Sequence, residues 1–428
     1  MCKTLQSESL KKQIGRIKPN PKLFIHTPYT ICPECKKKSL GVFTIYNQSF
    51  SLKCYKCGYS SSENLPNIEK KLIYLDQFVI SNIMNSLDKK SPKYKKIKKD
   101  TYWLRLFTIL SRLIQAQVII CPYSRYHFKE SLSTPVFNKL KKLYKHLSYG
   151  VQLNDHQQIF NYQVQQKFEE YISTNRSSYS IPITMENYNK WEDRLQINLE
   201  FNISEEEKDA IHEETIEMHK GLIEIIQDNW QKHKKSLDES YREEIDNYGP
   251  AVARNYIKQC SEFGETTYFP GSLLCLFSSM LSICRKYNIP EDKHVETINT
   301  FLTSGIMNDI PYARNSSYMF AAVRQKIQSG MKPSSLSQGT NTDIIAISTY
   351  IPYVDAMFID DEQANYIAEL TKQKKFNYKC RVFSTRTKED FIQYLSELEA
   401  KIPKSHFELV GRLYGPNWTK PYLTMFEK

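Results

Sequence analysis

KLIYLDQFVI, residues 71–80, decides the fold. Leu72 to Leu75 is an unbroken apolar run, too short for a helix and lacking the alternation of a half-buried strand, so it reads as a strand covered on both faces. Such strands belong to parallel sheets whose crossovers are helices, and QFVISNIMNSLD (77–88) supplies a helical pattern at once. Working outward, DTYWLRLFTILSRLIQAQ (100–117) predicts an amphipathic helix, VIIC (118–121) a second buried strand, and SRYHFKESL (124–132) the start of another helix. From about 134 to 330 the pattern is almost wholly helical, with SEEEKDAIHEETIEMHKGLIEIIQDNWQKHKK (204–235), capped by Ser204, as its longest stretch. Strand signals return in VDAMFID (354–360) and CRVFST (380–385), and TKEDFIQYLSELEAK (387–401) closes as a helix. The expected class is therefore α/β with a parallel sheet split by a large all-helical insertion.

The predicted boundaries are a cysteine module with a basic N-terminal arm (1–66), the first part of the α/β domain (70–133), the helical insertion (134–309) and the second part (310–428). YSSSENLPNIEK (59–70) reads as a linker.

The net charge of +12 favours a polyanionic partner, nucleic acid being the commonest, although lysine-rich composition alone can produce it. Ten cysteines show no disulfide framework, which predicts a reducing cytoplasm. The start, MCKTLQSESLKKQ, lacks the apolar core of a signal peptide, and the longest apolar stretch, SLLCLFSSMLSIC (272–284), is too short to span a bilayer, so no membrane partner is expected. No P-loop, G-x-G-x-x-G or G-x-S-x-G is present, which argues against nucleotide-triphosphate, dinucleotide and serine-hydrolase chemistry.

Cys32 and Cys35 form C-P-x-C, and after eighteen residues Cys54 and Cys57 form C-x-x-C-G. Each pair offers two thiolates from one tight turn, and two such pairs satisfy a tetrahedral Zn²⁺. The intervening LGVFTIYNQSFSLKC (40–54) alternates like a β-hairpin, and Gly58 permits the closing turn. The segment resembles the zinc ribbons of primases and transcription factors. Ribbons of that kind contact nucleic acid, brace a fold or bind protein, and Lys36, Lys37, Lys38, Lys53 and Lys56 favour the first role here.

Open parallel sheets bind ligands at the carboxyl ends of their strands. Asp76 follows the first strand there, and Asp360 and Asp361 follow VDAMFI. Ser124, His127 and Glu130, spaced by three, fall on one face of the helix after VIIC, and Asp343 opens a helix before the apolar IIAI. Carboxylates gathered at one edge repel each other unless a hard cation such as Mg²⁺ or Mn²⁺ joins them. Each has a plainer reading: Asp76 as a turn residue, Glu130 as a solvated helix residue, Asp343 as an N-cap, and one of Asp360 and Asp361 as solvent-facing. Ser124 also reads as a cap, and His127 as a structural histidine or a phosphate contact. Asp355 starts its strand, at the wrong end. Lys95 and Lys96 in DKKSPKYKKIKK (88–99), with Arg314 and Arg324, are candidate phosphate contacts, with surface placement as the alternative.

IYLDQFVIS (73–81), CPYSRYHFKES (121–131) and NTDIIAISTYIPYVDAMFIDDEQANYI (341–367) resemble, in that order, the acidic motifs of PIN-like nucleases. The resemblance covers roughly 71–132 and 310–401. It implies a metal-dependent endonuclease acting on RNA or DNA, with Asp76, Glu130, Asp343 and Asp360 holding Mg²⁺ or Mn²⁺ and Asp361 as a further ligand. Phe78 stands where such nucleases often carry Asn, which leaves open a non-catalytic nucleic-acid-binding protein or an effector scaffold. A protein partner or homo-oligomer, and a place in bacterial antiviral defence or as a toxin, are expectations from architecture alone.

Overall fold

The structure is a computed structural model. It describes residues 25–132, 134–173, 180–193, 233–266, 272–333, 336, 337 and 339–420, with scattered residues at 20–21, 213–230 and 423–426; for 256–266 and 272–274 it describes the backbone alone. The N-terminal arm and most of the stretch 204–235, including the cap at Ser204, lie outside the described residues.

Strands β1 (His26–Ile31), β2 (Lys38–Tyr46), β3 (Ser49–Cys54) and β4 (Ser60–Asn64) form an antiparallel sheet in sequence order. Tyr46 pairs with Ser49, so the expected hairpin closes through Asn47 and Gln48, with Asn47 at φ 53°, a left-handed conformation that Asn tolerates better than most residues. The segment read as a linker contributes β4, whose five residues are only partly covered. An edge strand needs no apolar alternation when both its faces are wet, so the serines concealed it.

The second sheet has four strands, β5 (Lys71–Leu75), β6 (Ile119–Ile120), β7 (Ala356–Phe358) and β8 (Arg381–Phe383), all parallel, in the order β6-β5-β7-β8. All four arise from the short apolar runs. The longer helices before residue 310 are α1 (Gln77–Leu87), α2 (Tyr102–Gln115), α3 (Arg125–Leu132), α4 (Phe137–Ser148), α5 (His156–Ser173), α6 (Leu237–Thr266), α7 (Ser272–Lys286) and α8 (His294–Thr303). After it come α9 (Pro311–Gln328), α10 (Thr340–Tyr350), α11 (Asp361–Lys372), α12 (Lys388–Ala400) and α13 (Lys404–Tyr414).

Strand parity divides the core in two. Ile73, Leu75, Ala356, Phe358 and Phe383 face one apolar cluster with α1, α2, α4 and α12. Leu72, Tyr74, Ile120 and Met357 face the other, with residues of α5 to α11. The stretch 134–309 is therefore no free-standing module. Among the described residues α4 covers one face of the sheet and α5 to α8 cover the other, because a sheet apolar on both sides must be covered on both. Asp355 sits at the opposite end from the acids, where Oδ2 accepts the Leu72 N–H at 2.9 Å and Oδ1 takes the Lys71 ammonium at 2.9 Å.

The small sheet docks on the larger body. Phe50, Leu52 and Leu65 pack with Trp191 and, from α13, Val410 and Leu413. Trp191 is 2% exposed and donates its ring N–H to the Pro66 carbonyl at 2.8 Å. Asp193 Oδ2 accepts from the Thr44 hydroxyl and the Ile45 N–H at 2.7 and 3.1 Å, and Lys70 and Glu192 form a buried ion pair at the junction. Among the described residues no helix is long and apolar enough to cross a membrane.

Candidate functional site

The two cysteine turns are built alike. Lys36 N–H returns to the Cys32 carbonyl at 2.9 Å, and Gly58 N–H to the Cys54 carbonyl at 3.0 Å. Both Lys36 (φ 56°) and Gly58 (φ 79°) take the left-handed conformation, so the first turn closes without glycine. The β2–β3 pairing brings the turns together. Cys32 and Cys57 Sγ lie 3.6 Å apart, as do Cys35 and Cys54, and all four thiols lie within 4.8 Å of one another, positioned to bind one metal ion. Burial opposes the Cys54 thiolate, but the Ser39 hydroxyl at 3.0 Å and the Cys57 and Lys56 N–H groups at 3.4 Å outweigh it and bring the thiol down to about 6. Lys36, Lys37, Lys38 and Lys56 are exposed around the cluster, while the Lys53 ammonium lies 4.2 Å from the Phe43 ring.

The second site is a cavity of about 510 Å³ whose wall includes Asp76, Glu130, Asp343 and Asp360. Four separate pieces of backbone deliver them. Asp76 ends β5 and precedes α1, Glu130 lies in α3 after β6, Asp343 lies in the first turn of α10, and Asp360 follows β7 as the N-cap of α11. The register that sets Leu75 beside Phe358 sets the two strand ends side by side. Asp343 does not cap its helix. The helix begins three residues earlier, at Thr340, so the side chain is left for the cavity.

Burial raises the carboxyls, and mutual repulsion raises them further. Burial and then the Asp360 charge push Asp76 up to about 7, against the backbone N–H groups of Gln77, Phe78 and Asp360. Burial and the Asp76 charge push Glu130 up to about 8. Burial and the charges of Asp76, Glu130 and Asp360 push Asp343 up to about 9. Asp360 is raised by burial, while its Oδ1 accepts from Gln363 N–H at 2.8 Å and Glu362 N–H at 2.7 Å. No ion pair joins any of the four to a cation among the described residues. Nor do they close into a cage: among those residues, only the four cysteines bring three or more ligand atoms all within 4.8 Å of one another.

Other expected residues lie elsewhere. Asp361 Oδ2 accepts from the Thr385 hydroxyl at 2.6 Å and its Oδ1 from Arg386 N–H at 3.2 Å, so it ties α11 to the loop after β8 instead of lining the cavity. Ser124 and His127 are buried, which removes them as nucleic-acid contacts. His127 Nδ1 accepts from the Ser124 N–H at 2.9 Å, which leaves the Nε2 hydrogen for the Leu75 carbonyl at 2.6 Å. It braces the strand end that carries Asp76, and burial lowers it to about 4. Arg324, 1% exposed, is locked by Glu243 at 2.7 Å and the His233 carbonyl at 3.1 Å, so it is no phosphate clamp. Half-buried Arg314 donates to the Lys375 carbonyl at 2.6 Å. Lys95 and Lys96 are exposed on a single helical turn, Tyr94–Ile97. Sequence reasoning missed Gln77, Ser81, Asn82, Asn85 and Lys93, which also line the cavity. The spacing 77, 78, 81, 82, 85 marks one face of α1, and that was the signal for most of them.

Comparison with protein-family models, curated proteins and solved structures gave no match to this chain.

Proposed function

We propose that the chain is a metal-dependent nuclease of the PIN-like class, hydrolysing phosphodiester bonds at the acidic cavity. One observation carries the reading: four carboxylates from segments far apart in sequence share one cavity, raised first by burial and, for Asp76, Glu130 and Asp343, by one another's or Asp360's charge, and no ion pair joins any of the four to a cation among the described residues. Asp76, Glu130, Asp343 and Asp360 would hold Mg²⁺ or Mn²⁺, a hard ion that oxygen donors suit. Such an ion, when bound, supplies an acidified water and offsets charge on the phosphate under attack. The protein's own groups fix the geometry. Two backbone N–H groups orient Asp360, and His127 holds the Leu75 carbonyl one residue before Asp76. Lys93 on the cavity wall and exposed Lys95 and Lys96 beside it would hold the substrate backbone. The cysteine cluster would carry structural Zn²⁺, with its exposed lysines aiding nucleic-acid or partner binding. A reducing cytoplasm would keep the eight described cysteines as thiols.

The open spacing of the acids, together with Phe78, favours one rival, a nucleic-acid-binding protein with a decayed site. Purified protein incubated with labelled single-stranded RNA, single-stranded DNA and duplex DNA, with Mn²⁺, Mg²⁺ or chelator, separates the two. Metal-dependent cleavage should fall by about 100-fold or more in Asp76→Asn and Asp343→Asn, a loss of several kcal/mol of transition-state stabilisation. Undiminished cleavage by both variants removes the proposed site, and absence of both cleavage and any Mn²⁺-dependent thermal shift favours the rival.

A further inference from the structure

The cavity is not all acid. Phe78 reaches its wall while remaining half-buried, its ring 6.0 Å from Phe358 and edge-on to Trp103 at 6.5 Å. Anchored in this way, it is a fixed aromatic surface. One helical turn further along α1, the Asn82 amide makes no hydrogen bond to any described residue, and it too lines the cavity. Asn85 accepts from the Ser91 hydroxyl through Oδ1 at 2.6 Å, which leaves its NH₂ group. Exposed Lys93 lines the same wall without an ion pair to any described residue.

A hydrated cation and a phosphate make no use of an aromatic face. An aromatic face, amide donors and an ammonium are instead the three groups that meet a base, its edge and the adjoining phosphate. We infer that this part of the cavity is a subsite for one unpaired nucleotide, its base on Phe78, its edge at Asn82 and its phosphate at Lys93, so that the substrate is a single-stranded polynucleotide. The inference deepens the reading of the acidic site and rests on it. A duplex keeps its bases stacked on each other, so it offers none to Phe78 without first unpairing. Phe78, the residue that departs from the PIN-like pattern, becomes on this account the residue that selects the strand.

Binding is the direct test. Fluorescein-labelled single-stranded RNA, single-stranded DNA and the matching duplex are titrated with the full chain in Ca²⁺, and anisotropy is read for the unaltered protein, Phe78→Leu and Phe78→Trp. Melting curves check that each variant is folded. Stacking of one base contributes ~1–3 kcal/mol, so Phe78→Leu should weaken single-strand binding about tenfold. Phe78→Trp should restore it, and duplex binding should not change. Whichever of RNA and DNA shows the Phe78 effect is the substrate class. The inference is overturned if Phe78→Leu binds single strands as tightly as the unaltered protein, or if the duplex binds as tightly as the single strand. Cleavage followed in parallel with Mn²⁺ keeps the two ideas apart. Phe78-dependent binding without cleavage sinks the nuclease reading and leaves the subsite, whereas cleavage with Phe78-independent binding does the reverse.

Discussion

Adding Mn²⁺ to the metal-free protein should expel protons, in a number that the acidic cavity fixes. Without an ion, Asp76, Glu130 and Asp343 are held near 7, 8 and 9. At pH 7 the first is about half protonated and the other two almost fully so. An ion that neutralises the group drives these protons off, because carboxylate ligands bind in their ionised form. The expected release is about two protons per ion at pH 7 and roughly half a proton at pH 9. Titration calorimetry in buffers of different ionisation enthalpy measures this count directly. Asp343→Asn removes the carboxyl held highest and should lower the release at pH 7 by about one proton. If Mn²⁺ binds at pH 7 with no proton release, the acids were already ionised. The burial and crowding that raise these acids, on which the site argument rests, are then contradicted.

The same groups set a pH dependence of stability. Their folded values lie above the ordinary ones, so the stability they contribute is fully present only below about pH 4 and is lost progressively as pH rises from there through 7 to 9. Melting temperature in chelator should therefore fall from pH 6 to pH 9, and Mn²⁺ should abolish most of that fall; a flat profile contradicts the burial of these acids. His127, lowered to about 4, acts in the opposite sense below pH 6.5, where only the unfolded chain takes up its proton. His127→Ala leaves the Leu75 carbonyl and the Ser124 N–H without their partner and should cost about 2–4 kcal/mol in urea unfolding; a loss under about 0.5 kcal/mol means that the brace is dispensable. Cys54→Ser should abolish zinc binding, measured as metal per chain, and a variant retaining one zinc per chain refutes the cluster assignment. Trp191→Ala should cost about 3–5 kcal/mol and expose the β4 edge to protease, because that side chain is clamped between the small sheet and α13.

What the sequence disclosed and what it hid divide along physical lines. Leu72–Leu75, Ile119–Ile120, Ala356–Phe358 and Arg381–Phe383 were legible as parallel strands because burial on both faces leaves an uninterrupted apolar mark on three of the four. The cysteine turns were legible because their ligands lie close together in the chain. Ser60–Asn64 was not, since a wet edge strand leaves no such mark. Asp76, Glu130, Asp343 and Asp360 could be placed at one edge from topology, but the choice of Asp360 over Asp361 needed the backbone. One residue of helix phase turns the first to the cavity and the second to Thr385. Spacing by three put Ser124, His127 and Glu130 on one face without saying that the first two are buried, His127 against the Leu75 carbonyl. Arg324 looked free because its partner, Glu243, is distant in sequence. Lys93 was passed over for Lys95 and Lys96, since a run of lysines does not say which one borders the cavity.

The strand order β6-β5-β7-β8 also governs how the molecule comes into being. β5 is made early but has β7 as its inner neighbour, and Ile73 must wait for Ala356. On the ribosome the early half of the sheet, with Asp76 and Glu130, therefore emerges without Asp343 and Asp360, and nothing can gather the four until residue 360 has been translated. Pairing over so long a separation makes closure of the sheet a late and slow event in folding. Nascent chains, and chains truncated before residue 343, would thus carry half of the acidic constellation, and the assembled cavity would exist only on a finished fold.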